Sequence, residues 1–193
     1  MVEKLKVFAW AAFLILLAVG LAAGGAGPAP AQGGRGEAVL QPVQHEEEPE
    51  EEPGFIGALD ITIQSMDGKT YAPGEVLLSD PFGAFGGYDP RNDSTYQDIP
   101  GSSYGWLPIP GAAGLYMGEL YIRNAVSGVY SLRVIGSDYG RYKLNLKGYD
   151  ASMSRAEAEF IALIEPGAIH HYVVNYSNRA GARLEARRTR ITY

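Results

Sequence analysis

From residue 58 onward, apolar and polar side chains alternate along most of the chain. Leu59, Ile61 and Ile63 are interleaved with Asp60, Thr62 and Gln64, the period of two that marks a strand with one face buried. Met66-Asp67-Gly68-Lys69 then reads as a turn, and Glu75 to Ser79 as a short apolar strand closed by Asp80-Pro81. From Phe82 to about Ala113 a Gly, Pro, Asn or Asp falls at nearly every second or third place, which predicts a stretch dominated by turns. Strands resume at Leu115, with Leu120 and Ile122 on one face and Glu119, Tyr121 and Arg123 on the other.

Gly128-Val129-Tyr130-Ser131-Leu132-Arg133-Val134-Ile135-Gly136 is echoed twelve residues later by Gly140-Arg141-Tyr142-Lys143-Leu144-Asn145-Leu146-Lys147-Gly148. Both copies point Tyr-x-Leu-x-(Val/Leu) inward. With only Ser137-Asp138-Tyr139 between them, the pair predicts an antiparallel hairpin with one wet face. Two copies of one strand pattern do not make a solenoid. Ser154 to Glu159 reads as a short helical piece, and Phe160 to Glu165 as a strand ended by Pro166-Gly167. Ala168 to Tyr176 is a further strand, with Tyr172, Val174 and Tyr176 on one face. About seven to nine such strands joined by Gly/Pro turns predict an all-β fold, an antiparallel β-sandwich of jelly-roll or immunoglobulin-like type. The domain is expected over residues 55–178, and residues 179–193 form an edge strand or a frayed basic tail.

The first residues follow a different logic. Lys4 and Lys6 precede an uncharged apolar run, Val7 to Leu21, and a small-residue stretch that ends Ala29-Pro30-Ala31. That order of charged, apolar and A-x-A segments predicts a signal peptide over residues 1–31 and an exported protein, periplasmic, cell-surface or extracellular. An uncleaved N-terminal membrane anchor is the alternative, at the lower limit of spanning length. Residues 32–54 contain Gly33-Gly34, Pro42, Pro49, Pro53 and six Glu between 46 and 52. Low hydrophobicity and like-charge repulsion predict a disordered acidic linker.

Composition narrows the classes of function. The 193-residue chain has no Cys, so neither a disulfide nor a thiolate metal site is available. Its core alone must hold it together, and its 13 Tyr suit that task. The net charge of -6 argues against a nucleic-acid partner. Residues 55–178 carry 13 Asp+Glu and 8 Lys+Arg, whereas residues 179–193 carry five Arg and one Glu. Arg183, Arg187, Arg188 and Arg190 are therefore candidates for weak, salt-screened pairing with Glu46 to Glu52.

Asp80, Asp89, Asn92 and Asp93 offer hard oxygens of the kind Ca²⁺ takes. Their spacing matches no EF-hand, and as turn formers their side chains bond their own backbone. The adjacent His170 and His171 point to opposite faces of a strand and cannot chelate one ion together. Ser102-Ser103 lacks a strand–Ser–helix elbow. Glu157 and Glu159 lie in a charged stretch rather than across a cleft, and Gly83 to Gly87 is followed by neither a Lys nor a helix. No catalytic constellation emerges, and no cofactor beyond possible Ca²⁺ is implied. Tyr71, Phe82, Phe85, Tyr88, Tyr96, Tyr104, Trp106 and Tyr116 crowd one region. Exposed, they would form a ligand surface with Tyr88, Tyr104 and Trp106 as the leading residues; folded back, they would plug the ends of the sandwich.

Val76-Leu77-Leu78-Ser79-Asp80-Pro81-Phe82-Gly83, Gly87-Tyr88-Asp89-Pro90 and Ile99-Pro100-Gly101-Ser102-Ser103-Tyr104 together resemble an accessory module of bacterial secreted proteins. Ile122 to Leu146, with its repeated Gly-x-Tyr-x-Leu, is similar to part of the pre-peptidase C-terminal domains, which are jelly-roll-like β-sandwiches. Such modules accompany von Willebrand factor A-like or immunoglobulin-like domains in larger exported proteins. The resemblance covers roughly residues 58–178 and implies a non-enzymatic binding or accessory role at the cell envelope. The partner it implies is another exported protein or a cell-surface component, with membrane contact only through the N-terminal segment. A structural, subunit-docking module is the second expectation, and a hydrolase the least favoured.

Overall fold

The computed structural model describes residues 54–193; the segments expected to be a signal peptide or anchor (1–31) and, but for Gly54, an acidic linker (32–54) lie outside the described residues. The alternation seen in the sequence builds eleven strands: β1 (Gly57–Ser65), β2 (Gly74–Ser79), β3 (Phe85–Asp89), β4 (Ser94–Gln97), β5 (Ser102–Pro108), β6 (Tyr116–Arg123), β7 (Gly128–Gly136), β8 (Gly140–Asp150), β9 (Arg155–Ile164), β10 (Ile169–Ser177) and β11 (Arg183–Thr192). They form two antiparallel sheets, ordered β5-β6-β1-β8-β9 and β11-β10-β7-β2-β3-β4. Leu59, Ile61 and Ile63 of β1 and Leu144 and Leu146 of β8 pack against Val76, Leu78, Leu132, Val134 and Val174 of the other sheet in one core. Each such side chain, fully buried, contributes about 1.5–3 kcal/mol. The architecture is thus the expected β-sandwich, with more strands than expected.

The extra strands lie in the glycine-rich stretch 82–113, which forms β3, β4 and β5 rather than turns alone. Its glycines are what let the strands form. A Cβ on Gly86 would press on Ile99 and Leu120, and one on Gly87 (φ 114°) would overlap the Val76 carbonyl oxygen. The expected helix at Ser154–Glu159 is instead the start of β9, whose Ala158 and Phe160 pack on the core. On its exposed face Glu159 meets Lys143 of β8 at 2.6 Å. Tertiary pairing overrides the helix propensity of this Ala/Glu segment. Residues 183–192 are an edge strand paired with β10.

The twelve-residue echo is not a hairpin. β7 belongs to one sheet and β8 to the other, so Ser137-Asp138-Tyr139 forms an arch between the layers. The inward residues Tyr130, Leu132 and Val134 meet Tyr142, Leu144 and Leu146 across the core rather than beside them. Periodicity shows which face is buried, and both arrangements bury the same face. Backbone bonds hold the arch. Gly136 N–H donates to Ala168 C=O (2.8 Å) and Gly167 N–H to Gly136 C=O (2.9 Å), while Ser137 and Asp138 N–H both donate to Pro73 C=O (3.0 Å each). A Cβ at Gly136 would overlap the Glu165 carbonyl oxygen. Three interlayer connections, β1–β2, β7–β8 and β9–β10, are therefore stitched together at one end of the sandwich.

Candidate functional site

A cleft of about 740 Å³ opens at this end, within the range of small-molecule sites (roughly 300–1,000 Å³). The β1–β2 connection supplies Lys69, Thr70, Tyr71 and Ala72, and the β7–β8 arch supplies Ser137 and Asp138. β5 supplies Trp106 and β6 supplies Tyr116. Tyr116 N–H donates to Thr70 C=O at 2.8 Å, which ties the β5–β6 hairpin to the β1–β2 connection. At the rim, Lys69 Nζ donates to Asp138 Oδ2 (2.6 Å) and to the Tyr139 carbonyl (2.5 Å). Exposure makes that ion pair weak, yet it joins the two connections across the opening.

The wall is aromatic. The Tyr71 and Trp106 rings meet in a T, with centroids 5.0 Å apart and planes at 75°. Tyr71 stacks on Tyr116 at 5.4 Å and 23°. Tyr71 remains half exposed, at 50%. Trp106 is seated over its cross-strand partner Gly118, where a Cβ would crowd Ile63 and the Tyr104 hydroxyl and touch the Trp106 ring. The glycine is what makes room for the two inward rings of β5.

Glu75 also lines the cleft and is buried. Burial pushes its carboxyl up to about 7, against the opposing pull of the Tyr104 hydroxyl, which donates to Glu75 Oε2. Tyr104 itself is raised well above the usual phenol range, chiefly by burial and then by the Glu75 charge. Near neutral pH the carboxyl is thus divided between its neutral and charged forms, so it both donates and accepts hydrogen bonds.

Of the three aromatic residues expected to bind ligand, the structure places Trp106 in the cleft wall. Tyr104 lies beneath it and acts on the cleft through Glu75. Tyr88 stacks behind Tyr104 (6.3 Å, 8°) and donates to Asp93 Oδ1 at 2.6 Å; that bond first, then burial, pushes its phenol up to about 12. The expected aromatic surface is therefore split. Phe85 and Tyr96 pack on a separate apolar cluster with Leu77, Ile135 and Ile169, and Phe82 stands 82% exposed on the β2–β3 turn.

The four oxygen-bearing residues considered for Ca²⁺ do not gather into one cradle, because Asp80 precedes β3 and Asp89, Asn92 and Asp93 follow or end it. Each is engaged locally. Asp80 Oδ1 accepts from Phe82 and Ala84 N–H (2.9 Å each). Asp89 takes the Arg91 guanidinium (Nη2 to Oδ2, 2.6 Å), which holds its carboxyl below the usual range. Asn92 Nδ2 donates to the Tyr96 hydroxyl (3.2 Å). Among the described residues, no group of three or more His, Cys, Asp and Glu is disposed to hold a metal.

His170 and His171 diverge as expected: His170 is buried with its Nδ1 2.7 Å from the Tyr142 hydroxyl, and His171 Nε2 lies 2.9 Å from Thr192 Oγ1. Glu157 pairs with Arg155 (2.8 Å) and Glu159 with Lys143 (2.6 Å). Both lie on β9, two residues apart, so they do not oppose one another from two walls. Ser102 Oγ is buried without a hydrogen-bond partner and sits in the sheet opposite the histidines. Arg183, Arg187, Arg188 and Arg190 are exposed on β11, and the acidic run proposed to meet them lies outside the described residues.

Sequence reasoning missed Glu75, Lys69 and Asp138. The signal for Glu75 is a lone carboxylate at the head of an otherwise apolar strand, Gly74-Glu75-Val76-Leu77-Leu78. Lys69 and Asp138 carry no such signal, because only the arches bring them together. Compared with known proteins, the chain matches no protein-family model, no curated protein and no solved structure.

Proposed function

We propose that this protein is an exported, non-enzymatic β-sandwich that binds a component of the cell envelope in the Tyr71–Trp106–Tyr116 cleft. The carrying observation is that cleft: a cavity of about 740 Å³ walled by aromatic rings and edged by polar groups. The leader-like residues 1–31 and the likeness to secreted accessory modules support the compartment. The non-enzymatic part rests on the carboxylates. The lining holds two carboxyls, Glu75 and Asp138. Asp138 is neutralised at the exposed rim by Lys69, so Glu75 stands without a second free acid or base to work with it on a bound ligand. A second reading, docking to another exported subunit, is favoured by β11, which among the described residues is an edge strand, since strand edges accept further strands.

Sedimentation with isolated envelope fragments tests the first reading. The protein is expected to co-sediment, Trp106→Ala to lose most of that association, and Phe82→Ala to keep it. No association of the wild type, or shortening of envelope polymers on incubation, would count against the proposal.

A further inference from the structure

The geometry points to a neutral oligosaccharide as the ligand of the cleft, its sugar faces stacked on Tyr71 and Trp106 and its hydroxyls bonded along the Glu75, Thr70 and Ser137 side. This deepens the envelope-binding reading and rests on it.

Four features select this chemistry. First, the rings form a platform rather than a cage. Tyr71 touches Trp106 and Tyr116 at centroid distances of 5.0 and 5.4 Å, so no gap remains between them for an ammonium group. A cation held by several ring faces would need to sit within about 6 Å of each centroid. What the cluster offers is its outer ring surfaces, apolar and set at 75° to one another for Tyr71 and Trp106, each suited to the C–H face of a separate pyranose.

Second, the other walls are polar. Lys69, Thr70, Glu75, Ser137 and Asp138 share the lining with the rings. A sugar hydroxyl is both donor and acceptor, and the hydroxyls of Thr70 and Ser137 are likewise both. A purely apolar ligand would leave these groups desolvated and unpaired. A polyproline segment would fit the rings but carries no donor to meet the acceptors.

Third, the cleft shows no net demand for charge. Lys69 and Asp138 neutralise one another at 2.6 Å. Glu75, the other carboxyl of the lining, is buried and bonded to the Tyr104 hydroxyl. Burial leaves it only partly ionised near neutral pH, so neither a polyanion nor a polycation is called for. Fourth, the rim is built on three connections bonded to one another, Thr70 to Tyr116 and Pro73 to Ser137 and Asp138. A binding surface held in place before the ligand arrives spends less on ordering.

Calorimetric titration of the full chain tests the inference. The probes are hexasaccharides of β-1,4-glucose, β-1,4-N-acetylglucosamine and α-1,4-glucose, with polygalacturonate and decaproline as the anionic and peptide comparators. At least one neutral hexasaccharide is expected to bind with a Kd of about 1 mM or tighter. Tyr71→Ala is expected to weaken that binding by about tenfold or more, and Phe82→Ala to leave it unchanged. Because Tyr71 is half exposed, its variant folds even if Trp106→Ala does not. Failure of all three hexasaccharides to bind, or binding that Tyr71→Ala does not weaken, overturns the inference. Binding confined to decaproline or polygalacturonate overturns it too, yet leaves the envelope-binding reading standing. That reading falls separately, on loss of co-sedimentation.

Discussion

Glu75→Gln is expected to stabilise the protein by about 3 kcal/mol at pH 8 and to change little at pH 4. The folded carboxyl is raised from 4.5 to about 7, chiefly by burial. The folded state therefore holds the proton more tightly than the unfolded state. The contribution of Glu75 is fully present below pH 4.5 and lost as pH rises through 7. Gln keeps the carboxamide oxygen for the Tyr104 hydroxyl and never ionises.

His170 works in the opposite sense. Its imidazole is lowered from 6.5 to about 4, by burial first and then by Arg188 and His171. Its neutral form contributes fully above pH 6.5, and that contribution is lost as pH falls toward 4. Between pH 4.5 and 6.5 the two slopes oppose each other. Glu119, raised chiefly by burial, adds to the Glu75 side, and His171, lowered by burial, to the His170 side. The wild type should thus show a nearly flat stability profile in that window, whereas Glu75→Gln should lose stability on acidification. Urea midpoints measured from pH 4 to 8 decide the matter, and parallel profiles for the two proteins would refute the assignment of Glu75.

Tyr142→Phe is expected to cost about 2–4 kcal/mol, since two buried polar partners are each left short of a bond worth about 1–3 kcal/mol to satisfy. The Tyr142 hydroxyl lies 2.7 Å from His170 Nδ1 and 2.6 Å from the Tyr172 hydroxyl, in the buried core between the sheets. Phe keeps the ring and its packing, so the loss isolates the hydroxyl. Tyr130→Phe is the internal comparison. Tyr130 is equally buried, but its hydroxyl makes one bond, to the Val126 carbonyl at 2.7 Å, and its removal should cost about 1 kcal/mol. Equal midpoints for the two variants in urea would show that the three-residue network adds nothing beyond a single hydrogen bond.

The fold class was legible because strand periodicity is a local property. Leu59, Ile61 and Ile63 declare a buried face whatever they pair with. Pairing is not local, and so the echo around Tyr130 and Tyr142 could not distinguish a hairpin from an arch. The deciding interactions are the bonds of Ser137 and Asp138 to Pro73, more than sixty residues away in sequence. Ser154 to Glu159 misled for a related reason. Its alanines favour a helix in isolation, but here Ala158 covers the core from β9, with Glu159 meeting Lys143 across the strands.

The site was half legible. Aromatic density pointed to Trp106, and Tyr71 and Tyr116 belonged to the same recognised set. Which rings face the cleft and which fill gaps behind it depends on sheet order, and Tyr88 fell on the filling side. Glu75 escaped notice because a single carboxylate near a strand end is unremarkable until a tyrosine from the opposite sheet is found bonded to it.

The central claim is that the three-arch end binds an envelope component. Amide hydrogen exchange of the full chain, with and without saturating envelope fragments, tests it most directly. Protection is predicted at residues 69–75, 106–116 and 137–139, with little change along β11. Protection concentrated on β11 and absent from those segments would contradict the claim and favour docking through the β11 edge.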